Sequence, residues 1–176
     1  MKPTLWVHAN VERHFLALPA RPWEIGGWLL GYWTGDDENV FVTHATPPGP
    51  RGRPWGVRIS GTGHRMRFDE AWEASAGAVT FLGDWHTHPG GPTSPSARDL
   101  TAMKQLADDH NYGTPQPLIA IVETPRLPWS RGRRDAQPGW SIRSVPRPSS
   151  RRFRSPCSVI CSRRRRFPGC SVSPMS

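Results

Sequence analysis

Cysteine is missing from residues 1–156 of this 176-residue chain; its three cysteines, Cys157, Cys161 and Cys170, all lie near the C-terminus. The bulk of the chain therefore cannot lean on disulfides, and a reducing compartment is the simpler expectation. Long apolar runs are missing as well. Nothing approaches the roughly 18 consecutive apolar residues that a membrane span requires, and the opening Met1–Trp6 has no apolar secretory core, so we expect a cytoplasmic protein without membrane association. Acidic residues are almost absent from the end of the chain. Residues 126–176 hold 13 arginines against the lone Asp135, whereas residues 1–125 hold 10 Lys and Arg against 13 Asp and Glu. The net charge of +9 thus belongs to the C-terminal part. It suggests nucleic acid as a partner only weakly, because no aromatic platform accompanies the arginines.

What is present reads as one domain over residues 1–145 followed by a Pro-, Ser- and Arg-rich tail, 146–176, expected to be disordered or a frameshift artefact. Residues 4–8 suit a short strand, and Val11 to Leu18 a short helix that Pro19 and Pro22 stop. Ile25–Trp33 and Val40–Thr43 flank a turn-rich segment and predict a hairpin, and residues 55–60 predict a further strand after a loop over 47–54. A helix is expected over Phe68–Ala76, with Asp69 and Glu70 in its first turn and Gly77 as its stop. A central strand is expected over Ala78–Trp85. A helix over Ser96–His110 would place Leu100, Met103, Leu106 and Ala107 along one face, and strands over Pro117–Val122 and Trp140–Val145 would complete the domain. Alternating strands and helices imply an α/β sandwich.

The chemistry-bearing residues cluster around Gly83-Asp84-Trp85-His86-Thr87-His88-Pro89. Histidines at i and i+2 on an extended segment project to one side, so His86 and His88 can approach a single metal ion. Asp99, at the start of the next helix, can supply a third ligand. Two imidazoles and one carboxylate with an open fourth position are the donor set of a catalytic zinc, although iron and manganese accept similar ligands. Peptide cleavage also needs a group that takes and returns a proton, and Glu24 is the candidate, a carboxylate at the mouth of an apolar, glycine-rich strand. The Ser96 hydroxyl could donate to a developing oxyanion. By themselves, Ser96 and Asp99 also read as a helix N-cap and its N3 acid, a role compatible with the first.

Taken together these residues resemble the JAMM (MPN-plus) zinc metallopeptidase family. The family pattern of Glu-x-x-Gly-x-Leu-x-Gly, then His-(Ser or Thr)-His, seven residues, Ser, two residues and Asp is met by Glu24, Gly27, Leu29, Gly31, His86, Thr87, His88, Ser96 and Asp99. The resemblance covers roughly residues 4–145. It implies a cytidine-deaminase-like α/β fold, a mixed sheet flanked by helices. It also implies one zinc per chain held by His86, His88 and Asp99, with Glu24 as general acid/base and Ser96 assisting the oxyanion. The substrate it implies is a ubiquitin-like protein or its conjugate, with E1/E2-like conjugation enzymes as partners in a bacterial conjugation or antiphage pathway. Two other readings remain: a RadC-like DNA-associated protein, and an inert MPN-type interaction module. The cysteine spacing does not suit a zinc finger. For Trp23, Trp28, Trp33 and Trp85, core packing is the expected role for most, a substrate groove the alternative.

Overall fold

The structure, a computed structural model, describes residues 4–34, 39–49, 52–53, 56–57, 59, 61–114, 116–124 and 139–144. The tail expected over 146–176 lies outside the described residues. The strands β1 (Thr4–Val7), β2 (Gly26–Trp33), β3 (Asn39–Ala45), β6 (Thr80–Pro89), β7 (Leu118–Thr124) and β8 (Trp140–Ser144) form one sheet in the order β1-β3-β2-β6-β7-β8. The β1–β3 and β6–β7 pairs are parallel and the others antiparallel, so the sheet is mixed. Two short strands, β4 (Gly52–Arg53) and β5 (Gly56–Val57), pair as a separate ribbon. Of the strand expected over 55–60, residues 56–57 form β5 and residues 55, 58 and 60 lie outside the described residues; within the loop expected over 47–54, residues 52–53 form β4.

Three helices, α1 (Ala9–Leu16), α2 (Thr62–Ala74) and α3 (Ala97–Asp108), cover the sheet. Strand alternation sorts the core into two sides. Leu118, Ala120 and Val122 of β7 join Leu5, Val7, Val40, Val42, Leu29 and Trp85 in the cluster that buries Val11 and Phe15 of α1. Ile119 and Ile121 point the other way and pack on Met103 of α3, while Leu30 and Phe81 meet Phe68 and Ala71 of α2. This is the expected α/β sandwich with a mixed sheet flanked by helices.

Some boundaries differ from expectation for local reasons. Helix α2 begins six residues before Phe68, so Asp69 and Glu70 fall inside it rather than in its first turn. There they pair with Arg65 at i,i+4 and Arg67 at i,i+3, an exposed arrangement that supports the helix modestly. It ends at Ala74, two residues before the expected end: Ala76 takes the left-handed φ of +52 after the cap, and Gly77, at φ +85, sends its N–H back to the Trp72 carbonyl at 2.8 Å. On α3, Met103 and Ala107 are buried as the periodicity required, but Leu100 is 45% exposed.

One irregularity decides the placement of the site. Leu82 and Trp85 both lie on the α1 side, although an odd spacing should put them on opposite faces. A bulge absorbs the difference: Leu29 pairs with Gly83 and Leu30 with Phe81, skipping Leu82. Gly83 sits there at φ +149, and a Cβ on it would meet the Leu118 carbonyl oxygen at 1.9 Å. Beyond the bulge the phase is inverted, and Asp84, His86 and His88 project toward α3.

Candidate metal centre

Strand β6 was expected to end near Trp85; it continues to Pro89, so both histidines sit in regular strand between β2 and β7. This fixes their backbones on both sides and leaves only side-chain torsions to adjust. The two imidazoles face each other, with Nε2 of His86 3.1 Å from Nε2 of His88. Asp99 closes the triangle, with Oδ1 3.4 Å from His86 Nε2 and Oδ2 3.6 Å from His88 Nε2. Among the described residues this is the one cluster in which three such ligand atoms converge within 4.8 Å.

These separations can be compared with what an ion demands. A tetrahedral zinc with bonds of about 2.0–2.2 Å keeps its ligand atoms roughly 3.3–3.6 Å apart; the two Asp99 spacings, each to a different carboxylate oxygen, lie in that range and the 3.1 Å between the imidazoles is slightly shorter. The orientation fits as well. His88 Nδ1 lies 2.9 Å from the Pro92 carbonyl oxygen, which can only accept, so the proton belongs on Nδ1 and the lone pair on Nε2 points to the cluster. The residues present thus suit a divalent metal.

Asp99 is held from behind. Its Oδ2 accepts the Ser96 N–H at 2.7 Å, and the Ser96 Oγ accepts the Asp99 N–H at 3.2 Å, a capping box at the N-terminus of α3. Burial alone would raise the Asp99 carboxyl, but its hydrogen bonds with His86, His88 and Ser96 outweigh that and hold it far below the usual carboxylate range. The same contact with Asp99 lifts the His88 imidazole above its ordinary value, against a lowering by burial and with help from the Pro92 carbonyl and the charges of Asp99 and Glu24. Two residues before His86 on the same face, burial pushes the Asp84 carboxyl up to about 7.

Glu24 is half-buried and lies just before β2. Gly26 pairs with His86, and continuing that antiparallel register by two residues sets Glu24 across from His88. The segment is clipped to β6 by Thr87, whose N–H donates to the Ile25 carbonyl at 2.8 Å and whose Oγ1 accepts the Ile25 N–H at 3.0 Å. Close strand approach at this point demands glycine: a Cβ on Gly26 would lie 2.4 Å from the Trp85 carbonyl oxygen, and one on Gly27 2.7 Å from that of Thr46. Ser96 is exposed beside the cluster; its oxygen accepts within the cap, leaving the hydroxyl proton free to turn outward.

The structure therefore brings His86, His88 and Asp99 together, sets Ser96 at their rim, and places Glu24 opposite His88. Sequence reasoning gave no role to Thr87 itself, to the Pro92 carbonyl or to Gly83. Thr87 stood in the motif, but a main-chain carbonyl leaves no side-chain signal. Of the four tryptophans near the motif, Trp85 is fully buried, Trp28 packs between His64, Phe68 and Phe81, and Trp33 packs on the main core. Only Trp23, 39% exposed, is available to a groove.

A mixed, helix-flanked sheet that presents a His-His-carboxylate triad beside a helix N-terminus defines a single-domain α/β protein with a candidate mononuclear metal centre. The family described as prokaryotic homologs of the JAB domain matches residues 8–136, most of the chain, and the protein belongs to that family. Similar curated proteins include a CD-NTase/cGAS isopeptidase of Pseudomonas aeruginosa, 31% identical over 105 residues, 56% of this chain and 61% of that protein. Another, from Vibrio cholerae, is 37% identical over 84 residues, 47% of this chain and 53% of that protein. A probable metalloprotease of Sinorhizobium fredii is 28% identical over 135 residues, 69% of this chain and 77% of that protein. The chain thus spans about half to three-fifths of the isopeptidases it matches. The solution structure of a Desulfitobacterium hafniense protein superposes with a TM-score of 0.46 at 21% identity, covering 81% of this chain and 85% of that one, too loosely to add to the assignment. Among the described residues no helix is long and apolar enough to cross a membrane.

Proposed function

We propose that this chain is a zinc-dependent isopeptidase or peptidase that cleaves after the C-terminus of a ubiquitin-like protein or removes it from a conjugate. It would act in the cytoplasm of a bacterium, with E1/E2-like conjugation enzymes as its partners in an antiphage pathway. The observation that carries the reading is the convergence of His86, His88 and Asp99, with ligand atoms within 4.8 Å of one another, and a carboxylate, Glu24, across from His88. The names of the CD-NTase/cGAS isopeptidases and the probable metalloprotease support the same chemistry. An inert interaction module would have no use for such a donor set.

Zinc is the favoured ion because two imidazoles and one carboxylate, with the fourth position open, are its usual catalytic set. When bound, it would supply a Lewis acid and bring the pKa of a water down toward about 7. The remaining work belongs to the chain. Glu24 takes the proton of the attacking water and returns it to the leaving amine, as the single half-buried carboxylate across from His88. Ser96 donates its free hydroxyl proton to the oxygen of the scissile carbonyl as negative charge builds there. The Pro92 carbonyl keeps His88 in the tautomer that leaves Nε2 as a ligand.

The test compares wild type with Glu24→Gln for zinc content and for cleavage of a ubiquitin-like fusion. About one zinc per chain in both proteins, with cleavage only in wild type, is expected. A wild-type chain that takes up no zinc would end the proposal.

A further inference from the structure

An antiparallel pair of residues that face each other across narrow hydrogen bonds normally exchanges two main-chain bonds. Ile25 and Thr87 exchange one. The Thr87 N–H reaches the Ile25 carbonyl at 2.8 Å, but the return bond from the Ile25 N–H ends on the Thr87 side chain, Oγ1, at 3.0 Å. Thr87 is 1% exposed, so water does not compete for either group. The N–H captured in this way belongs to the peptide bond that joins Glu24 to Ile25. The hydroxyl of Thr87 therefore holds the peptide unit that carries the Glu24 Cα, and it does so from between the two histidines.

We propose that Thr87 is a positioning residue for Glu24, its buried hydroxyl fixing the Glu24–Ile25 peptide so that the carboxylate stays opposite His88. The inference rests on the reading of Glu24 as the proton-transferring group. Its physical content is the directness of the link: one hydrogen bond separates the ligand strand from the peptide of the carboxylate. Reaction geometry tolerates little error, since a displacement of about 1 Å in a catalytic group costs on the order of 100-fold in rate. The side chains of His86 and His88 point to the other face of β6, so their ligand geometry does not depend on the hydroxyl.

Thr87→Val keeps the shape of the side chain and removes the hydroxyl, leaving a buried N–H unpaired; Thr87→Ser keeps the hydroxyl. In the full-length zinc-loaded chain, T87V is expected to lower kcat at least tenfold with KM within about twofold, to keep one zinc per chain, and to lose amide hydrogen-exchange protection at Ile25. T87S is expected to restore both the rate and the protection. Should T87V fail to fold, T87A serves in its place, because it removes the hydroxyl without pressing a methyl against the N–H. The inference is overturned if the hydroxyl-free variant cleaves like wild type, if it loses zinc together with activity, if T87S does not rescue it, or if neither T87V nor T87A folds. Full activity in E24Q would instead overturn the role of Glu24, and so separates the two failures.

Discussion

Asp99 shares a single carboxylate oxygen, Oδ2, between the Ser96 N–H at 2.7 Å and the edge of the metal triangle, where His88 Nε2 lies 3.6 Å away. The two readings of Ser-x-x-Asp, helix cap and functional pair, are therefore one arrangement. In the capping box the carboxylate takes up the N–H of the N-cap residue, and the same bond stops the ligand from rotating away.

That double duty can be separated. Asp99→Asn keeps an oxygen for the Ser96 N–H but loses the charge, so it should abolish stoichiometric zinc and also lower the thermal midpoint of the metal-free chain, which loses the carboxylate's attraction for His86 and His88. Ser96→Ala should cost about 1 kcal/mol of stability yet keep about one zinc per chain, because its main-chain N–H still reaches Asp99 Oδ2. Equilibrium unfolding and zinc titration on the two variants measure both halves.

The metal-free and zinc-bound chains should respond oppositely to pH. Asp99 is depressed, so its contribution is present above its unfolded value of 3.8 and is lost only as pH falls further. His88 is raised, so its contribution is complete below 6.5 and is lost as pH climbs through its folded value. With chelator, stability should fall between pH 5.5 and 8.5. Zinc affinity should rise over the same range, because the ion competes with the proton on His88. Thermal unfolding and zinc titration at both pH values give the two signs.

Asp84 supplies a second, separable pH effect. Its carboxyl is pushed up to about 7 by burial, so folding costs stability as pH rises from the unfolded value of 3.8 through 7. Asp84→Asn should be nearly neutral at pH 4 and stabilising at pH 8, on the order of 1–3 kcal/mol. Equal effects at the two pH values would show that the carboxyl is not desolvated.

The bulge at Gly83 is open to a direct test. Alanine there faces both φ +149 and a carbonyl oxygen 1.9 Å from its Cβ, so Gly83→Ala should cost about 3 kcal/mol or more. Because the bulge sets the face on which His86 and His88 emerge, any folded G83A should also bind zinc poorly. Denaturant unfolding and zinc content report each effect.

Much of the candidate site was legible along the chain because its residues are close in sequence. His86, His88, Ser96 and Asp99 lie within one strand, its following loop and one helix start, and local rules of strand period and helix capping place them correctly. The α/β class followed in the same way from alternating periodicity, and strands such as β7 and β8 came within two residues of their observed ends. The start of α2 did not, because Gly61 offers no side-chain cap to mark it.

What only the tertiary structure decided are relations across long sequence separations and across a break in period. Strand period alone tells which residues share a face, not which face, and by it His86 and His88 would have shared the side of Leu82 and α1. The bulge opposite Leu29 and Leu30 turns them to α3, where Asp99 waits. Glu24 is 62 residues before His86, and it comes opposite His88 because β2 and β6 pair in one register. That register is enforced by glycine contacts too close for any side chain and by the Thr87 hydroxyl on the Ile25 amide. Local chemistry along the chain named the groups; the pairing of distant strands, a cooperative property of the whole sheet, decided where they meet.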